Sequence, residues 1–317
     1  MNASMADEHT NLPKVVVLLG PTTCGKTQWS LDLARAHKGE IISADSRQIY
    51  KKMTIGTAKV VGEWRREGLS KTYYVGDTPH YLVDFLDPGK MFTVADFHDR
   101  AVKQIRTIVK GSAVPFVVGG TGLYIHAIVD NLEIPRVAPN KKLRKSFEEK
   151  TEDELIEWLQ KLDPKTAESV DQHNKRRIIR ALEVCILSGE PFSAQQTKGD
   201  PLFNVFQIGI KISREELYDR IEKRVDAMIK DGLVEEVRNL LRQKYSWDLP
   251  SMSGIGYRQF KGYFDGEYSL DEAIERLKRD TRHYSKRQFT WFRRDPRIKW
   301  CETYDEAQQL VSSFLNV

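Results

Sequence analysis

The octapeptide GPTTCGKT, at residues 20–27, constrains the fold of this chain more than any other stretch. Its spacing, glycine, four residues and then Gly-Lys-Thr, is that of a loop whose backbone N–H groups surround phosphate oxygens. The β-branched run Lys14–Gly20 predicts a buried parallel strand before the loop, and residues 26–39 predict a helix after it. A strand, a glycine loop and a helix N-terminus in this order predict an α/β phosphate-binding core.

Within the loop, each chemical group has an expected role. Glycines allow the backbone to approach anionic oxygens, Lys26 adds positive charge toward a terminal phosphate, and the Thr27 hydroxyl can bind Mg²⁺. We expect Cys24 to be a small filler and not a redox group. The predicted phosphate-binding residues are Gly20, Thr22, Thr23, Cys24, Gly25, Lys26 and Thr27. ATP or GTP is the usual occupant of such loops, but the loop alone does not identify the molecule that carries the phosphates.

Beyond the loop, the pattern extends the α/β core and then interrupts it. Glu40–Asp45 predicts a second buried strand, Thr93–Gly111 a helix, and Val114–Tyr124 a strand that runs into a glycine turn. Alternating strands and helices predict a parallel sheet flanked by helices. No glycine occurs between Leu123 and Ser188, and the amphipathic runs in that stretch predict an all-helical insertion.

These patterns divide the chain into three predicted parts. Residues 13–132 and 200–317 form a phosphate-loop α/β core with a helical C-terminal part, and residues 133–199 form the inserted helical domain. Residues 1–12 are polar and have neither the apolar core of a signal peptide nor the arginines of a transit peptide, so we expect a disordered tail.

The composition indicates a soluble protein. The chain has 317 residues, of which 40% are hydrophobic and 30% charged. No run approaches the ~20 apolar residues that a membrane span needs. Its 3 cysteines are far apart in sequence and predict neither a disulfide framework nor a zinc finger. We therefore expect a cytoplasmic protein that does not bind a membrane.

Charge is unevenly distributed along the chain. Residues 276–299 contain ten Lys or Arg and two Asp, whereas the whole chain has a net charge of only +5. The motif RHYSKRQFTWFRRDPR, at residues 282–297, interleaves these basic residues with aromatic ones. Basic groups contact phosphates and aromatic rings stack on unpaired bases, which predicts a nucleic-acid surface. The alternative is a packed helix with an exposed basic face.

Two further polar motifs directly follow predicted strands. The motif ADSRQIY, at residues 44–50, places Asp45 at the edge where a phosphate site would lie. Asp45 is either a metal-associated carboxylate or a general base beside the phosphates. The motif GGTGLY, at residues 119–124, is either a plain turn or a site that directs the Thr121 hydroxyl at a leaving anion.

Taken together, these stretches resemble the tRNA dimethylallyltransferase family from about Lys14 to Trp300. Blocks in family order include ISADSRQIYKKMTIGTAK, VVGGTGLY, NKRRIIRALEV, SGIGYRQF and KRQFTWFRR. The resemblance implies a phosphate-loop NTPase-like core with an inserted helical domain. It implies transfer of a dimethylallyl group from dimethylallyl diphosphate to N6 of the adenosine 3′-adjacent to the tRNA anticodon, with Mg²⁺ as cofactor. The loop would then bind the prenyl diphosphate.

The resemblance also implies roles for individual residues. Asp45 matches the general base, and Thr121 and Arg220 match groups that stabilise the leaving diphosphate, with Arg224 as the fallback for Arg220. Ser46 and Gln48 match residues that hold the target adenine. The residues implied to contact the tRNA anticodon stem-loop are Asp45, Ser46, Arg47, Gln48, Thr121, Arg144, Arg176, Arg177, Arg180, Lys286, Arg287, Gln288, Trp291 and Arg293.

In one segment the chain departs from the family pattern. Val60–Thr78 is longer than the family leads us to expect, and Val60 replaces a common proline.

Three other functions are also compatible with the motifs. An adenylate isopentenyltransferase would act on free AMP, ADP or ATP, a small-molecule kinase would use ATP, and an RNA-binding NTPase would perform no prenyl chemistry. We expect the protein to act as a monomer.

Overall fold

The computed structural model describes residues 12–68, 70–195 and 197–316. The predicted tail, residues 1–12, lies outside the described residues apart from Leu12. The chain divides into two compact units: the described residues of Met1–Ile125 with Leu202–Val317, and His126–Pro201. The segment predicted to be an inserted tRNA-binding domain, residues 133–199, lies within the second unit, and both its exact bounds and its role stay predictions.

The first unit contains a mixed sheet, which has eight strands in the described part of the chain. The strands are β1 (Lys14–Leu19), β2 (Gly39–Ser43), β3 (Glu63–Glu67), β4 (Ser70–Val75), β5 (Thr78–Tyr81), β6 (Val114–Gly119), β7 (Asn204–Ile210) and β8 (Lys299–Cys301). Their spatial order is β3-β4-β5-β2-β6-β1-β7-β8. Strands β5, β2, β6, β1, β7 and β8 pair in parallel. The predicted α/β core with a parallel sheet is confirmed.

Strand β1 lies in the interior of the sheet, between β6 and β7. Its residues Val15–Leu19 are fully buried, as expected for a parallel strand with both faces covered. In the register of the sheet, Leu19 pairs with Gly119 and Ser43 pairs with Val118. Strands β1, β2 and β6 therefore end close to the same level, and the loops that follow them emerge at one edge.

The long segment Val60–Thr78 forms the hairpin β3–β4 and the beginning of β5. Both strand pairs in this region are antiparallel. The ring of Trp64 packs edge-on against Tyr73 with 5.5 Å between centroids, and the Tyr73 hydroxyl donates to the Val60 carbonyl at 2.8 Å. The segment thus extends one side of the parallel sheet, which the sequence pattern did not predict.

Helices occur in both units. In chain order they are α1 (Lys26–Ala36), α2 (Val94–Lys110), α3 (Gly122–Val129), α4 (Lys141–Glu148), α5 (Glu152–Leu162), α6 (Pro164–Ser169), α7 (Lys175–Ser188), α8 (Arg214–Lys230), α9 (Leu233–Arg242), α10 (Lys261–Phe264), α11 (Leu270–Phe292) and α12 (Tyr304–Leu315). Helix α2 confirms the prediction from Thr93, whose side chain forms a reciprocal capping box with Asp96. None of the helices in the described ranges is long and apolar enough to cross a bilayer.

The second unit is built from helices α4 to α7, in agreement with the predicted helical insertion. Its apolar core includes Phe147, Leu155 and Leu182, which are almost completely buried. Helix α5 begins with a capping box at Thr151. Helix α7 ends at Gly189, whose φ of 77° gives the left-handed C-terminal cap that glycine adopts without strain.

Candidate active site

The phosphate loop connects the end of β1 to the start of α1. Gly25 is the N-cap residue of α1 and has a φ of 104°, while Thr23 has a φ of 65°. Left-handed residues of this kind occur in turns that gather backbone N–H groups around an anion. The first turn of α1 carries no acidic side chain. The positive end of the helix dipole is therefore available to an anion.

The Lys26 side chain folds back over this loop. Its ammonium donates to the Gly20 and Pro21 carbonyls at 3.1 and 2.6 Å and lies 3.8 Å from the Cys24 sulfur. A diphosphate oxygen would exchange these neutral acceptors for a charged one, which forms the stronger hydrogen bond. Cys24 is 3% exposed, which suits the expected small filler.

A glutamine of helix α11 joins the phosphate loop to the Thr121 loop. The Thr22 N–H donates to Gln288 Oε1 at 2.8 Å, and Gln288 Nε2 donates to the Gly120 carbonyl at 2.8 Å. A Cβ atom at Gly120 would lie 2.2 Å from Gln288 Nε2, so a larger residue at this position would displace the Gln288 amide. Both ends of the Gln288 amide are engaged by protein backbone, and the tRNA contact assigned to this residue stays a prediction.

Two other residues share the same face of α11. Tyr284, Gln288 and Trp291 are spaced by four and three residues, which places them one above another on a helix. The Trp291 indole lies so close to Gly122 that an added Cβ would be 2.4 Å from the ring. Tyr284 hydrogen-bonds to Thr121, and burial, followed by the nearby Asp45 carboxylate, raises the pKa of its phenol to about 12. The motifs did not single out Tyr284, although this spacing from Gln288 could have identified it.

Asp45 and Thr121 lie on neighbouring loops that hydrogen-bond to each other. The Ser46 N–H donates to Thr121 Oγ1 at 3.1 Å, and the Thr121 N–H donates to the Ala44 carbonyl at 3.2 Å. Asp45 Oδ1 accepts from the Arg47 and Gln48 N–H groups at 2.8 and 3.3 Å. Within the described part of the chain, no hydrogen bond engages Asp45 Oδ2. That oxygen is therefore available to accept a proton.

Two arginines of helix α8 border the phosphate loop. Arg224 donates to Thr22 Oγ1 at 3.3 Å, and burial lowers the pKa of its guanidinium while Asp45 opposes that shift. Arg220 is more exposed, donates to Glu216 at 2.5 Å, and lies 3.8 Å from the position of a Cβ on Gly25. Guanidinium groups are common protein partners of phosphate oxygens. The catalytic assignment to Arg220 stays a prediction.

Comparison with known proteins identifies the family. A family model described as IPP transferase matches residues 48–295. The chain belongs to the IPP transferase family. It is 42% identical over 311 residues to the tRNA dimethylallyltransferase of Acetivibrio thermocellus, and this match covers 95% of the chain and 96% of that protein. The resemblance to the tRNA dimethylallyltransferase family is confirmed.

Solved structures of family members have the same fold. The full-length tRNA isopentenylpyrophosphate transferase from Bacillus halodurans is 36% identical with a TM-score of 0.67, and the match covers 96% of this chain and 95% of that one. A eukaryotic dimethylallyltransferase acting on tRNA is 26% identical with a TM-score of 0.70, over 88% of this chain and 69% of that one. These matches confirm the predicted phosphate-loop NTPase-like fold.

The oxygens at this IPP transferase site suit a magnesium ion that is shared with a substrate. Mg²⁺ usually keeps several waters and takes one or two protein oxygens together with substrate phosphates. The Thr27 hydroxyl, in the first turn of α1, is such an oxygen. No group of three or more His, Cys, Asp or Glu side chains that could hold a metal is found among the described residues. If Mg²⁺ binds here, Thr27 and a substrate diphosphate would share the ion.

The basic motif at residues 282–297, which covers the end of α11, has an inward aromatic side and an outward basic side. Phe292 is fully buried, and Phe289 stacks on Trp300 with 5.9 Å between centroids. These two rings pack against protein, so the structure favours the packed-helix alternative for them over base stacking. The exposed cations of the block include Lys286, Arg287 and Arg293. Arg47, another predicted tRNA contact, donates to the Pro250 carbonyl at 2.5 Å.

In the second unit, the four predicted tRNA-binding arginines fall into two pairs. Arg144 and Arg180 both bind the buried carboxylate of Glu183, at 2.7 to 2.8 Å. Arg176 and Arg177, in the first turn of α7, are exposed. The sequence pattern did not reveal Glu183 as the partner of the first pair. A tRNA contact stays a prediction for all four arginines, and the exposed pair is better placed to make one.

Proposed function

We propose that this chain transfers a dimethylallyl group from dimethylallyl diphosphate to N6 of the adenosine 3′-adjacent to the anticodon in tRNA and releases diphosphate. The observation that carries the proposal is the Gln288 amide, which joins the phosphate loop to the loop of Thr121. Thr121 in turn bonds to the segment that contains Asp45. A diphosphate cradle and a carboxylate thus lie on connected loops, as a transfer between a diphosphate ester and an amine requires.

Asp45 supplies the base in this proposal. The exocyclic amine of adenine is a weak nucleophile because its lone pair is delocalised into the ring. A carboxylate within hydrogen-bond reach removes the N6 proton while the carbon–nitrogen bond forms. Asp45 Oδ1 is occupied by two backbone N–H groups, which fix the carboxylate and leave Oδ2 to take the proton.

Positive and hydrogen-bonding groups around the loop stabilise the departing diphosphate. Negative charge accumulates on its oxygens as the allylic carbon–oxygen bond breaks. Lys26 and Arg224 both hydrogen-bond to groups of this loop, and Arg220 lies beside Gly25, so these cations would face the departing oxygens. When Mg²⁺ is bound, with Thr27 as its predicted protein ligand, it adds positive charge at the same oxygens.

The exposed arginines favour RNA over a free adenylate as the acceptor. Arg287 on α11, Arg293 directly after α11, and Arg176 and Arg177 on α7 are exposed cations of the kind that contact phosphate backbones. An enzyme that prenylates free AMP, ADP or ATP would not need these four arginines to bind its acceptor. The name tRNA dimethylallyltransferase, carried by the relative from Acetivibrio thermocellus, supports the same acceptor.

A product assay tests this proposal. The protein is incubated with Mg²⁺, dimethylallyl diphosphate and either an anticodon stem-loop RNA or AMP. The masses of the products are then measured by mass spectrometry. We expect one added prenyl group on the RNA and none on AMP. Transfer to AMP alone would indicate an adenylate isopentenyltransferase. A parallel incubation with ATP that releases phosphate, combined with no prenyl transfer in the first assay, would indicate an NTPase.

Replacement of Arg287 and Arg293 by alanine should weaken tRNA binding and flatten its salt dependence. Each lost phosphate contact should reduce the slope of log affinity against log salt by roughly 0.7 to 0.9. The measurement is equilibrium binding of a labelled stem-loop RNA across a salt series. The control removes two exposed cations of α2, Lys103 and Arg106, and should leave the slope unchanged. Equal slopes for both double variants would contradict a role of α11 in RNA binding.

A further inference from the structure

The proposed mechanism assigns no role to two motifs of the first unit. One is the end of ISADSRQIYKKMTIGTAK, which forms the turn Met53–Lys59, and the other is SGIGYRQF, at residues 253–260. They are about 200 residues apart in the chain, yet they meet in the structure. Their contact involves Glu236 on helix α9.

The Glu236 carboxylate holds the turn by its backbone. Oε2 accepts from the Thr54 and Ile55 N–H groups, each at 2.8 Å, and Oε1 accepts from the Gly56 N–H at 3.0 Å. The Tyr257 hydroxyl donates to the same Oε1 at 2.7 Å. Three successive N–H groups around one carboxylate form an anion-binding turn whose anion is supplied by the protein itself. Such charge-assisted hydrogen bonds are stronger than those between neutral groups.

Close backbone packing reinforces this carboxylate contact. A Cβ at Gly56 would lie 2.6 Å from the Tyr257 ring, and a Cβ at Gly256 would lie 2.4 Å from the Gly56 carbonyl oxygen. Gly256 also has a φ of 102°, which a residue with a side chain rarely adopts. Glycine at both positions is therefore required for the turn and the SGIGYRQF segment to touch.

The other side of the turn contacts a residue implied to hold the target adenine. Gln48 Nε2 donates to the Ala58 carbonyl at 3.1 Å and to the Thr57 carbonyl at 3.5 Å. A carbonyl only accepts hydrogen bonds, so these two groups require the amide nitrogen of Gln48, and not its oxygen, to face the turn. The amide oxygen of Gln48 consequently faces away from the turn as a fixed acceptor.

We propose that Glu236 is a positioning residue that, through the turn Met53–Lys59, fixes the Gln48 amide oxygen as an acceptor for the target base. This inference rests on the proposed function. Adenine offers two N6 hydrogens, of which one goes to Asp45 and the other to Gln48 Oε1. Hypoxanthine has an oxygen in place of that amine, and two acceptors facing each other repel. The fixed amide therefore selects a 6-amino purine over a 6-oxo purine.

The test uses a ratio that does not depend on how much of the protein is active. It compares KM for a stem-loop RNA with adenosine at the target position and Ki for the same RNA with inosine there. We expect Glu236→Gln to lower the ratio Ki/KM roughly tenfold, because losing a hydrogen bond at a specificity site commonly changes discrimination by that order. A glutamine has one acceptor oxygen, and its NH₂ group would face the donors of the turn.

Three variants complete the design. Glu235→Gln, the matched control one position away on α9, removes a carboxylate whose partners are Arg238 and Arg242, and should leave the ratio unchanged. Tyr257→Phe removes one of the four hydrogen bonds to Glu236 and should lower the ratio by a smaller factor, even where Glu236→Gln folds poorly. Gln48→Ala should lower the ratio by itself, and adding Glu236→Gln to it should lower it no further.

The outcomes separate positioning from stability and from the reaction itself. A lower kcat with an unchanged Ki/KM in both Glu236→Gln and Tyr257→Phe would overturn the inference, because loss of folded protein alone scales kcat and leaves the ratio unaltered. A further fall of the ratio in the Gln48→Ala background would also overturn it. If the unaltered protein transfers no prenyl group to adenosine RNA, the proposed function fails first, which the same assay shows directly.

Discussion

Replacement of Asp45 by asparagine should lower turnover roughly 10²- to 10⁴-fold, the usual contribution of a positioned general base. Affinity for tRNA should remain within about twofold, since Asp45 acts on one proton and makes no phosphate contact in the proposed reaction. An asparagine oxygen can still accept from the Arg47 and Gln48 N–H groups that now bond to Asp45 Oδ1. The loop should keep its shape while the proton acceptor is lost.

The measurement is single-turnover transfer from dimethylallyl diphosphate to a stem-loop RNA, together with equilibrium binding of the same RNA. Asp45→Ala serves as the comparison, because it removes the proton acceptor and also both backbone hydrogen bonds. We expect its turnover to be at least as low as that of Asp45→Asn. A loss of RNA affinity as large as the loss of turnover in Asp45→Asn would identify Asp45 as a binding residue and not a base.

The parts of the site that were predicted from the sequence are short continuous motifs. A buried strand directly precedes each of three site segments: the loop at residues 20–27, Asp45 and Thr121. The carboxyl ends of parallel strands lie at one edge of the sheet, so the sheet topology alone brings these segments together. The connection between them was not predictable in the same way. Gln288 bonds to Thr22 and Gly120, from which it is separated by 266 and 168 residues. No local pattern encodes a partner at such a distance.

Similar reasoning explains which strands were predicted. Strand β1 consists almost wholly of buried aliphatic residues, a pattern that few other elements of its length share. Strand β3 has the sequence EWRRE and lies at the end of the sheet. Charged residues are common in edge strands because they discourage pairing with other chains, but they also hide the strand from any pattern based on burial. Strand β3 is held in the sheet by its antiparallel pairing with β4, and its own sequence pattern does not predict a strand.

Replacement of Glu183 by alanine should destabilise the second unit by roughly 2–4 kcal/mol. Glu183 is 0% exposed and accepts hydrogen bonds from Arg144, Arg180 and the Asn140 N–H. Its loss leaves two guanidiniums and one N–H group without their buried acceptor. We expect a smaller loss of stability than for a fully buried ion pair. The Arg144 and Arg180 side chains are 37% and 31% exposed, so water can partly solvate them once the carboxylate is removed. The measurement is thermal unfolding of the full chain, with hydrogen exchange of the α7 amides to locate the effect.

The same carboxylate should make the second unit sensitive to acid. Burial raises the pKa of Glu183, but the hydrogen bonds from Arg144 and Arg180 outweigh that effect and hold it below the ordinary value of 4.5. A carboxyl whose pKa is lower in the folded state stabilises fully above its unfolded pKa and loses that contribution as the pH falls through the folded value. The stability difference between the unaltered protein and Glu183→Ala should therefore shrink below pH 4.5.

An exposed glutamate of the same unit provides the control. Glu157 lies on α5 and is exposed, so Glu157→Ala should change the free energy of unfolding by less than about 0.5 kcal/mol. If Glu183→Ala unfolds like Glu157→Ala, the Arg144–Glu183–Arg180 cluster is not stabilising, and both arginines become free to serve the tRNA as the family resemblance implies. If Glu183→Ala is strongly destabilised, a loss of tRNA affinity in Arg144→Ala or Arg180→Ala can arise from the fold of the second unit. Arg176→Ala and Arg177→Ala then become the variants that report directly on tRNA contact.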